Sequence, residues 1–568
     1  MKHSTSIITG AGLILAGMNA CESPVRIEDA KPNIVFILAD DLGYMDICSY
    51  AENLTGTKVS DMFYETPNLD ELMTTGISFS QAYACPLCAP TRSTLLTGKY
   101  AARLGFTTAV PPRNTYYNQG ITPPEGYYVH DVIYHGDDIP IPQAWINATT
   151  NTAIPRGYEN DEGWRETILT DLLTDYKAAF VGKWHLGGVG AEGHAPGDYG
   201  FEELAYFDAG GSQYFDWRQH WNANRINAYP NAPQEKLLLG DAGEPSEHEY
   251  LTDDLTERAV QYIRSQATQN DQPFFLYLCH FAVHTPIQAP EEDIAYFEAK
   301  DTKGWNGQAD ATYAAMIKRM DDGIGRIMDV LKETGLEENT LVVFMSDNGG
   351  FSWQMPSRDI PITSNTPLKG GKAMVYEAGI RVPLIFSWKG KIKPGQWSDI
   401  VVDANDIFPT LVEAAGHQTT GMDIDGNSLI TLWSDPANKE DSYQRNTFFW
   451  HYPFNVIVDN PDDGFPLTPH SAIRKDDYKL IFDWHGRLKL YNIREDISET
   501  NNLMKQQPEL TRELFSELID YLENNVEKRY WPSLNPDYDP ATEVRKVPFV
   551  DLYSFYKEGK DIVEHANL

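Results

Sequence analysis

Four runs of apolar residues, many of them β-branched or aromatic, each end abruptly in charged or imidazole side chains. The runs cover residues 34–39, 178–182, 274–278 and 341–346, and they lead to Asp40 and Asp41, to Lys183 and His185, to His280 and His284, and to Asp347 and Asn348. Continuous apolar runs separated by helical stretches predict strands buried on both faces, as in a parallel sheet covered by helices. Because ligands bind beyond the carboxyl ends of strands in such sheets, we expect the four polar clusters to converge on one site.

Two further patterns complete the expected architecture. Apolar residues recur at helical spacing across 311–335, which predicts a crossover helix, and short strands followed by a helix over 508–527 predict a separate C-terminal lobe. The expected fold class is α/β, with a large mixed, mostly parallel sheet sandwiched by helices and a smaller C-terminal α+β subdomain carrying an antiparallel sheet. We expect a signal peptide at 1–21, a catalytic domain at 30–432 with insertions at about 107–158 and 205–250, a C-terminal subdomain at 440–545, and a tail at 546–568.

The N-terminus has the pattern of an export signal. Lys2 and His3 precede an apolar stretch over 7–18, which is too short to span a bilayer. Cys21 is a candidate for lipidation in a bacterial lipoprotein signal, and a simple cleaved signal is the alternative. Either reading predicts an exported protein, periplasmic or at the cell surface.

The formal net charge of −36 over 568 residues argues against nucleic acid as a partner, because phosphate binding needs a basic face. An anionic ligand would require basic residues gathered in one pocket, since global charge determines solubility rather than the character of a site.

Cys88 stands in the most informative stretch, Cys88-Ala89-Pro90-Thr91-Arg92, which runs on to Thr97-Gly98-Lys99. Proline is favoured at the first helical position, so we expect a helix from Thr91 onward with residue 88 at its N-terminus, where an anion is stabilised. Cys85 and Cys88 also form a C-x-x-C, which would suit a redox pair or half a zinc site. The remaining cysteines, Cys21, Cys48 and Cys279, supply no second pair.

The stretch 88–99 resembles the signature of type I sulfatases, members of the alkaline phosphatase superfamily, with Thr91 where Ser or Ala is usual. Further blocks match that family in order, and one has Ala378 where Gly is usual; the blocks are 40–44, 182–187, 346–349, 371–383, 406–410 and 425–429. The resemblance implies an alkaline-phosphatase-like sulfatase fold and a bacterial polysaccharide sulfatase. It also implies that a sulfatase-maturing enzyme oxidises Cys88 to formylglycine.

A metal site is expected among Asp40, Asp41, Asp347 and Asn348, which offer only oxygen ligands and so suit Ca²⁺ or Mg²⁺ better than zinc. The family resemblance favours Ca²⁺ and adds residue 88 as a ligand. The alternative is that these residues only cap a helix and form a turn. A divalent ion would leave the three carboxylates about one negative charge, against three positive charges expected from Arg92, Lys183 and Lys372.

The resemblance also implies individual roles. It gives protonation of the leaving oxygen to His284, with Lys372 close by, and neutralisation of the sulfonyl oxygens mainly to Lys183 and the metal. From its chemistry, His185 is a candidate to deprotonate the second hydroxyl and so release sulfate, and Arg92 is a candidate to hold the residue 88 loop and the metal ligands. Asp347 is a candidate acceptor of the nucleophile's proton. His451 and Arg474 are expected to contact a sugar. His280, inside an aromatic strand end, is either a hydrogen-bonded core histidine or a substrate contact, and Lys369 is an outside candidate.

Aromatic residues crowd both insertions, and they suit either carbohydrate faces or packing of loop on loop. They include Tyr116, Tyr117, Tyr127, Tyr128, His130, Tyr134 and His135 in the first insertion, and Tyr206, Phe207, Tyr214, Trp217, His220 and Trp221 in the second.

Taken with the family resemblance, the sequence predicts hydrolysis of sulfate esters on a sulfated glycan. The alternatives are a phosphomonoester or phosphonate hydrolase of the same superfamily and, if Cys88 stays unmodified, a non-catalytic sulfoglycan-binding protein. The sequence leaves the sugar, the sulfate position and the oligomeric state open.

Overall fold

The computed structural model describes residues 31–109, 129–131, 143–151, 153–154, 166–187, 195–207, 210–228, 250–269, 272–353, 358–439, 441–543, 545 and 547–567. The expected signal peptide and Cys21 lie outside these residues. Within them, no helix is both long and apolar enough to cross a bilayer.

An eight-stranded mixed sheet organises the larger part of the chain. Its order is β13-β2-β12-β10-β1-β9-β7-β8, formed by β1 (Asn33–Ala39), β2 (Ile77–Phe79), β7 (Lys177–Lys183), β8 (Glu202–Phe207), β9 (Phe274–Cys279), β10 (Thr340–Ser346), β12 (Leu384–Ser387) and β13 (Gln396–Ser398). The five strands β10, β1, β9, β7 and β8 run parallel to one another, whereas β12 is antiparallel to both β10 and β2. The predicted mixed, mostly parallel sheet is confirmed.

The central strands are apolar throughout because helices cover both faces of the sheet. Val35 and Ile37 of β1 enter a core shared with two long helices, α6 (Leu251–Gln269) and α8 (Ala311–Glu333). Ile34 and Phe36 point to the other face, where α3 (Cys88–Thr97) and α10 (Ile407–Ala414) contribute apolar side chains. Alternate residues of one strand therefore supply two separate cores, as expected of a buried parallel sheet. Asp310 caps α8 by accepting a hydrogen bond from the backbone N–H of Tyr313 at 3.0 Å.

The C-terminal lobe contains a four-stranded antiparallel sheet. Its order is β15 (Thr447–Tyr452), β18 (His470–Lys475), β19 (Tyr478–Asp483) and β20 (Arg487–Asn492). The helix α12 (Pro508–Asn525) packs on it through Leu514, Phe515 and Leu518. The antiparallel lobe predicted from the sequence is confirmed.

Shorter elements connect these layers. The strands are β3 (Ala82–Tyr83), β4 (Val129–Asp131), β5 (Trp145–Ile146), β6 (Thr149–Asn151), β11 (Arg381–Val382), β14 (Val402–Asp403), β16 (Val456–Asp459), β17 (Pro466–Leu467) and β21 (Ser533–Leu534). The helices are α1 (Cys48–Thr55), α2 (Pro67–Thr74), α4 (Leu169–Leu172), α5 (Trp217–Ala228), α7 (Glu291–Glu298), α9 (Glu377–Ile380), α11 (Ile430–Ser434), α13 (Leu552–Lys557) and α14 (Ile562–His565).

The aromatic residues of the second insertion mostly pack inward. Phe207, Tyr214, Trp217 and Trp221 are buried in the core beneath the sheet, which favours packing over a carbohydrate face for these four. In the first insertion β5 pairs with β21 and β4 pairs with β6. Tyr116, Tyr117, Tyr127, Tyr128, Tyr134 and His135 lie outside the described residues.

Candidate active site

Polar side chains from four neighbouring parallel strands meet at one edge of the sheet. Asp40 follows β1, Lys183 ends β7, His284 lies beyond β9, and Asp347 follows β10. Asp40, Lys183 and Asp347 are fully buried. Parallel strands place their carboxyl ends side by side, so the convergence follows from topology.

Each carboxylate of the cluster is paired with one cation. Lys183 Nζ lies 2.7 Å from Asp40, Lys372 Nζ lies 2.8 Å from Asp41, and Arg92 contacts Asp347 through Nη2 at 2.7 Å and Nε at 3.1 Å. The three pairs balance in formal charge. In a low-dielectric interior, each partner would be costly to bury alone.

The electrostatic balance differs between the two aspartates of the β1 turn. Burial raises the pKa of Asp40 well above its usual value, Lys183 opposes that rise, and Asp347 adds to it. Burial would also raise the pKa of Asp41, but Lys372 and His284 outweigh it and hold that pKa below its usual range. Asp40 is therefore the carboxylate that would gain most from additional positive charge.

Cys88 is the first residue of α3, and Leu87 is its extended N-cap. The predicted helix start at Thr91 is wrong by three residues. Pro90 fits inside the first turn because backbone N–H groups there have no intrahelical acceptor, so its missing N–H costs no hydrogen bond. Burial raises the pKa of the Cys88 thiol, and its Sγ lies 3.4 Å from His185 Nδ1.

Arg92 lies one helical turn after Cys88, on the same face of α3. Besides contacting Asp347, it donates from Nη1 to the carbonyl oxygen of Lys183 at 2.7 Å. One guanidinium thus connects the helix of residue 88 with the ends of β7 and β10, in keeping with the predicted holding role.

His284 has distinct environments at its two ring nitrogens. Nδ1 lies 2.7 Å from the carbonyl oxygen of Thr285, which can only accept, so Nδ1 carries the proton. Nε2 lies 3.6 Å from Asp41 Oδ2. Burial and then Lys372 lower the pKa of His284 to about 3, so the ring is neutral at pH 7 and Nε2 is the atom that can exchange a proton.

Two residues of the cluster adopt the left-handed backbone region, which is uncommon for residues other than glycine. Asp41 has φ of 61° and His185 has φ of 57°. Strained conformations of this kind persist where surrounding contacts fix them, and they concentrate at functional sites. The backbone N–H of Asp41 donates to Asp347 Oδ1 at 3.2 Å, which is one such contact.

The donor set fits a hard divalent cation. One ligand atom each from Asp40, Cys88 and Asp347 lies within 4.8 Å of the others, and the same holds for Asp40, Asp41 and His284. Asp40 Oδ1 and Asn348 Oδ1 are buried without a hydrogen-bond partner among the described residues, while Asn348 Nδ2 donates to Asp41 at 2.9 Å. Three carboxylates, one with an orphaned oxygen, and the orphaned amide oxygen of Asn348 are the donors that Ca²⁺ prefers.

Several candidates from the sequence lie in other environments. His451 is buried, with Nδ1 2.8 Å from Ser471 Oγ and Nε2 2.9 Å from the carbonyl oxygen of Tyr530. Arg474 is buried as well and donates to Gln81 and to the phenol of Tyr83. Because their polar atoms are engaged within the protein, we leave both residues out of the proposed site.

Lys369 and His280 are the remaining candidates from the sequence, and both have surroundings that suit a structural role. Lys369 pairs with Asp462 at 2.8 Å. His280 is fully buried, and neither ring nitrogen has a hydrogen-bond partner among the described residues, so burial lowers its pKa to about 4. It is a core histidine, as one of the two readings from the sequence has it, but the hydrogen bonds of that reading are absent among the described residues.

Two supporting residues were missed in the sequence. Asp46 accepts from the backbone N–H of Gly43 at 2.8 Å and from the hydroxyls of Tyr313 and Thr363, which closes the turn after Asp41. Asn365 donates to the carbonyl oxygens of Gly350 at 3.1 Å and Gly370 at 3.2 Å. The acidic side chain three residues after Gly43 was a usable turn signal, whereas nothing local distinguishes Asn365.

Comparison with known proteins gives consistent results. Residues 32–417 match the family model described as Sulfatase, and residues 371–528 match the C-terminal model of N-sulphoglucosamine sulphohydrolase. A sulfatase of Formosa agariphila is 30% identical over 97% of both chains, and the N-acetylgalactosamine-6-sulfatase of Rattus norvegicus is 30% identical over 75% of this chain and 68% of its own. The crystal structure of Ps i-CgsB in complex with k-i-k-neocarrahexaose is 27% identical, with a TM-score of 0.66 over 88% of this chain and 95% of that one.

Proposed function

The chain belongs to the sulfatase family and is a sulfuric ester hydrolase, and we propose that it removes sulfate from a sulfated glycan by means of a formylglycine made from Cys88 and a bound Ca²⁺. The observation that carries this proposal is the grouping of Cys88 with Asp40 and Asp347 at the sheet edge. The paired lysines and arginine around that group supply the positive charge that an anionic ester requires.

Residue 88 is the proposed nucleophile, and Cys88 Sγ stands in for the oxygen of the modified side chain. Formylglycine supplies a hydrated aldehyde, which can attack sulfur and later release sulfate. Asp40, Asp41, Asp347 and Asn348 would hold Ca²⁺, which supplies positive charge for the developing anion when bound. The start of α3 adds the free N–H groups of a helix N-terminus on the same side.

Lys183 and Lys372 are the groups that would bind the sulfonyl oxygens. Both are buried, and each is paired with an aspartate that also belongs to the proposed cation site. A divalent ion held by those carboxylates would share their charge, so the charge of the two ammonium groups would no longer be balanced locally. A site of this kind becomes cationic although the chain is strongly acidic.

His284 is the proposed proton donor to the leaving oxygen. Its Nδ1–H is fixed on Thr285, which leaves Nε2 to carry the transferred proton. An anionic substrate beside the ring opposes the effect of Lys372, and so favours the protonated form. His185, 3.4 Å from Cys88 Sγ, is placed to take a proton when sulfate departs.

The proposed substrate class follows from the relatives. One similar structure holds k-i-k-neocarrahexaose, and several relatives are named N-acetylgalactosamine-6-sulfatase. Both names point to a sulfated glycan as the substrate.

We further propose that the chain is exported, either as a lipoprotein through Cys21 or after simple cleavage, and that a sulfatase-maturing enzyme modifies it during biosynthesis.

Maturation provides the direct test. Mass spectrometry of the peptide spanning residues 86–99 from active enzyme should show an aldehyde or its hydrate at position 88, and Cys88→Ala should fold but not turn over. Rates on matched aryl sulfate and aryl phosphate, measured in the same preparation, separate a sulfatase from a phosphate or phosphonate hydrolase. Full activity with an intact Cys88 thiol would contradict the proposed nucleophile.

A further inference from the structure

The segment 210–214 follows β8 and lies beside the two catalytic histidines. β8 pairs in parallel with β7, in a register that places Phe207 opposite Lys183, and the backbone N–H of Trp184 donates to the carbonyl oxygen of Phe207 at 2.8 Å. β9 adjoins β7 on its other side. The end of β8 at Phe207 is therefore next to the strand ends that lead to His185 and His284.

Gly210 and Gly211 each lie against one of the two imidazole rings. A Cβ on Gly210 would lie 2.9 Å from His185 Cε1, and a Cβ on Gly211 would lie 3.1 Å from both Cε1 and Nδ1 of His284. Neither glycine has φ in the left-handed region. The backbone at both positions is therefore open to alanine. A methyl group would displace the imidazole ring of His185 at Gly210, and at Gly211 it would crowd the ring of His284 together with the carbonyl oxygen of Thr285, 3.2 Å away, on which that ring is held.

Tyr214 holds the backbone of His284 from the same segment. Its buried phenol hydroxyl lies 2.6 Å from the carbonyl oxygen of Phe281 and 2.9 Å from that of His284. The backbone N–H of Tyr214 donates to Gln288 Oε1 at 3.0 Å, so a second bond ties the segment to the stretch that carries His284. The ring itself stacks on Tyr250.

We infer that the segment 210–214 is a positioning element for both histidines. Gly210 and Gly211 leave the space that the two rings occupy, and Tyr214 sets the position of the His284 backbone. The inference rests on the proposed roles of His284 in leaving-group protonation and of His185 in sulfate release. These residues act through the histidines and need not touch the substrate.

Alanine substitution at the two glycines tests the inference, because the two histidines serve different steps. Gly211→Ala should lower kcat/KM on a sugar sulfate by about 100-fold, and much less on 4-nitrophenyl sulfate, whose phenolate leaves without protonation. Gly210→Ala should lower kcat on both substrates and give a burst of phenol equal to the active-site concentration, because release of sulfate becomes limiting. Gly197→Ala is the matched control, since an added Cβ there meets only the flexible carboxylate of Glu203.

Tyr214→Phe keeps the ring and removes only the hydroxyl, so it provides a variant that retains the core packing. It should share the substrate dependence of Gly211→Ala, with a smaller loss of about tenfold on the sugar sulfate. Equal losses on both substrates for Gly211→Ala and Tyr214→Phe would overturn the inference, because a general loss of stability does not distinguish leaving groups. Activities like that of Gly197→Ala would overturn it as well.

His284→Ala, measured in parallel, separates this inference from the proposed function. If His284→Ala loses activity equally on the two substrates, the proposed protonation role fails and the segment loses the basis for its predicted pattern. If His284→Ala discriminates between the substrates and Gly211→Ala does not, the proposed role stands and the positioning inference is wrong.

Discussion

At the scale of single residues, the site is a set of mutually dependent charges. Asp40, Asp41 and Asp347 each contact one cation, and all three carboxylates are fully buried. Removing one partner of a buried pair leaves the other uncompensated, which costs about 3–5 kcal/mol of stability. Variants of these residues therefore combine lost chemistry with lost stability, so His284 is a clearer probe of mechanism.

His284→Ala should affect substrates according to how poorly their leaving group departs. On a sugar sulfate, loss of the proton donor should lower kcat/KM by about 10²–10⁴-fold, whereas an activated aryl sulfate should lose about tenfold or less. The acid must be protonated to act, so the wild-type rate on the sugar sulfate should fall as pH rises through the pKa of His284 in the substrate complex. His284→Ala should remove that basic limb. kcat/KM for both substrates measures the first effect, and kcat across pH, which reports pKa values in the substrate complex, measures the second.

His451→Ala is a suitable comparison because His451 is a buried histidine bonded to Ser471 and to Tyr530. It should lower thermal stability while leaving the ratio of the two substrates and the shape of the pH profile unchanged. A selective loss on the sugar sulfate for His451→Ala would restore the substrate contact that we first expected from the sequence.

At the scale of elements, the strands were predictable because their apolar runs are continuous and end sharply. Residues 34–39 and 341–346 are predicted as buried strands, and the observed strands β1 and β10 include both ranges. Asp40 directly follows β1, and Asp347 directly follows β10. The start of α3 was misplaced because proline is compatible with any position of the first turn. The contacts of Asn365, Tyr214 and Gly211 join segments distant in sequence, so no local pattern could indicate them.

The N-terminus of α2 depends on a side chain from another helix. Asp321 of α8 accepts from the backbone N–H groups of Asn68 at 3.0 Å and Leu69 at 2.8 Å, and from Asn68 Nδ2 at 2.8 Å. Thr66, the N-cap of α2, forms no side-chain cap of its own. The buried carboxylate therefore supplies the cap in place of a local residue.

Asp321→Ala should destabilise the enzyme by about 2–4 kcal/mol, because it leaves the buried N–H of Leu69 and the half-buried N–H of Asn68 without an acceptor. Asp322→Ala is the control, since the neighbouring carboxylate is half-exposed and pairs only with Lys318 among the described residues; it should change stability by about 0.5 kcal/mol or less. Urea unfolding at fixed Ca²⁺ measures both variants. Equal stabilities would show that Asp321 is not an effective cap.

At the scale of the whole molecule, a strongly acidic chain concentrates three cations around three carboxylates at one edge of its main sheet. A cation that binds there in the folded state alone would stabilise that state by an amount that grows with the logarithm of its concentration above Kd. Both the stability and the activity of the enzyme should therefore depend on Ca²⁺.

Chelation of the purified enzyme should abolish activity reversibly and lower the unfolding temperature by several degrees, since an ion at about 1,000 times its Kd contributes about 4 kcal/mol. Readdition of Ca²⁺ should restore both, and Mg²⁺ should do so less well. Asp40→Asn should bind the ion more weakly, so its unfolding temperature should rise less when Ca²⁺ is added. Elemental analysis that finds only zinc, or an unfolding temperature indifferent to chelation, would contradict the proposed ion.

The two lobes are joined by a buried ionic network. Lys479 of β19 lies 2.7 Å from both Glu377 of α9 and Glu499, and all three side chains are fully buried. Glu377 also contacts Arg381, at 3.1 Å. Glu377 begins the short helix that follows the Lys372 loop, so the network connects the C-terminal sheet with the active site.

Lys479→Met should therefore destabilise the whole molecule, by about 3–5 kcal/mol, because it leaves two buried carboxylates facing each other. Burial raises the pKa of Glu499 to about 7, with Lys479 opposing and Glu377 adding to the rise. A carboxyl whose folded pKa is raised favours the folded state below that pKa, and its contribution is lost as pH rises from the unfolded value toward 7. Lys479 opposes that rise, so loss of Lys479 should cost more stability at pH 8 than at pH 5.5.

Adding Glu499→Gln to Lys479→Met should recover part of the stability and remove the extra pH dependence. Thermal unfolding of the wild type and the two variants at both pH values measures this, and a loss independent of pH would show that Glu499 does not titrate there.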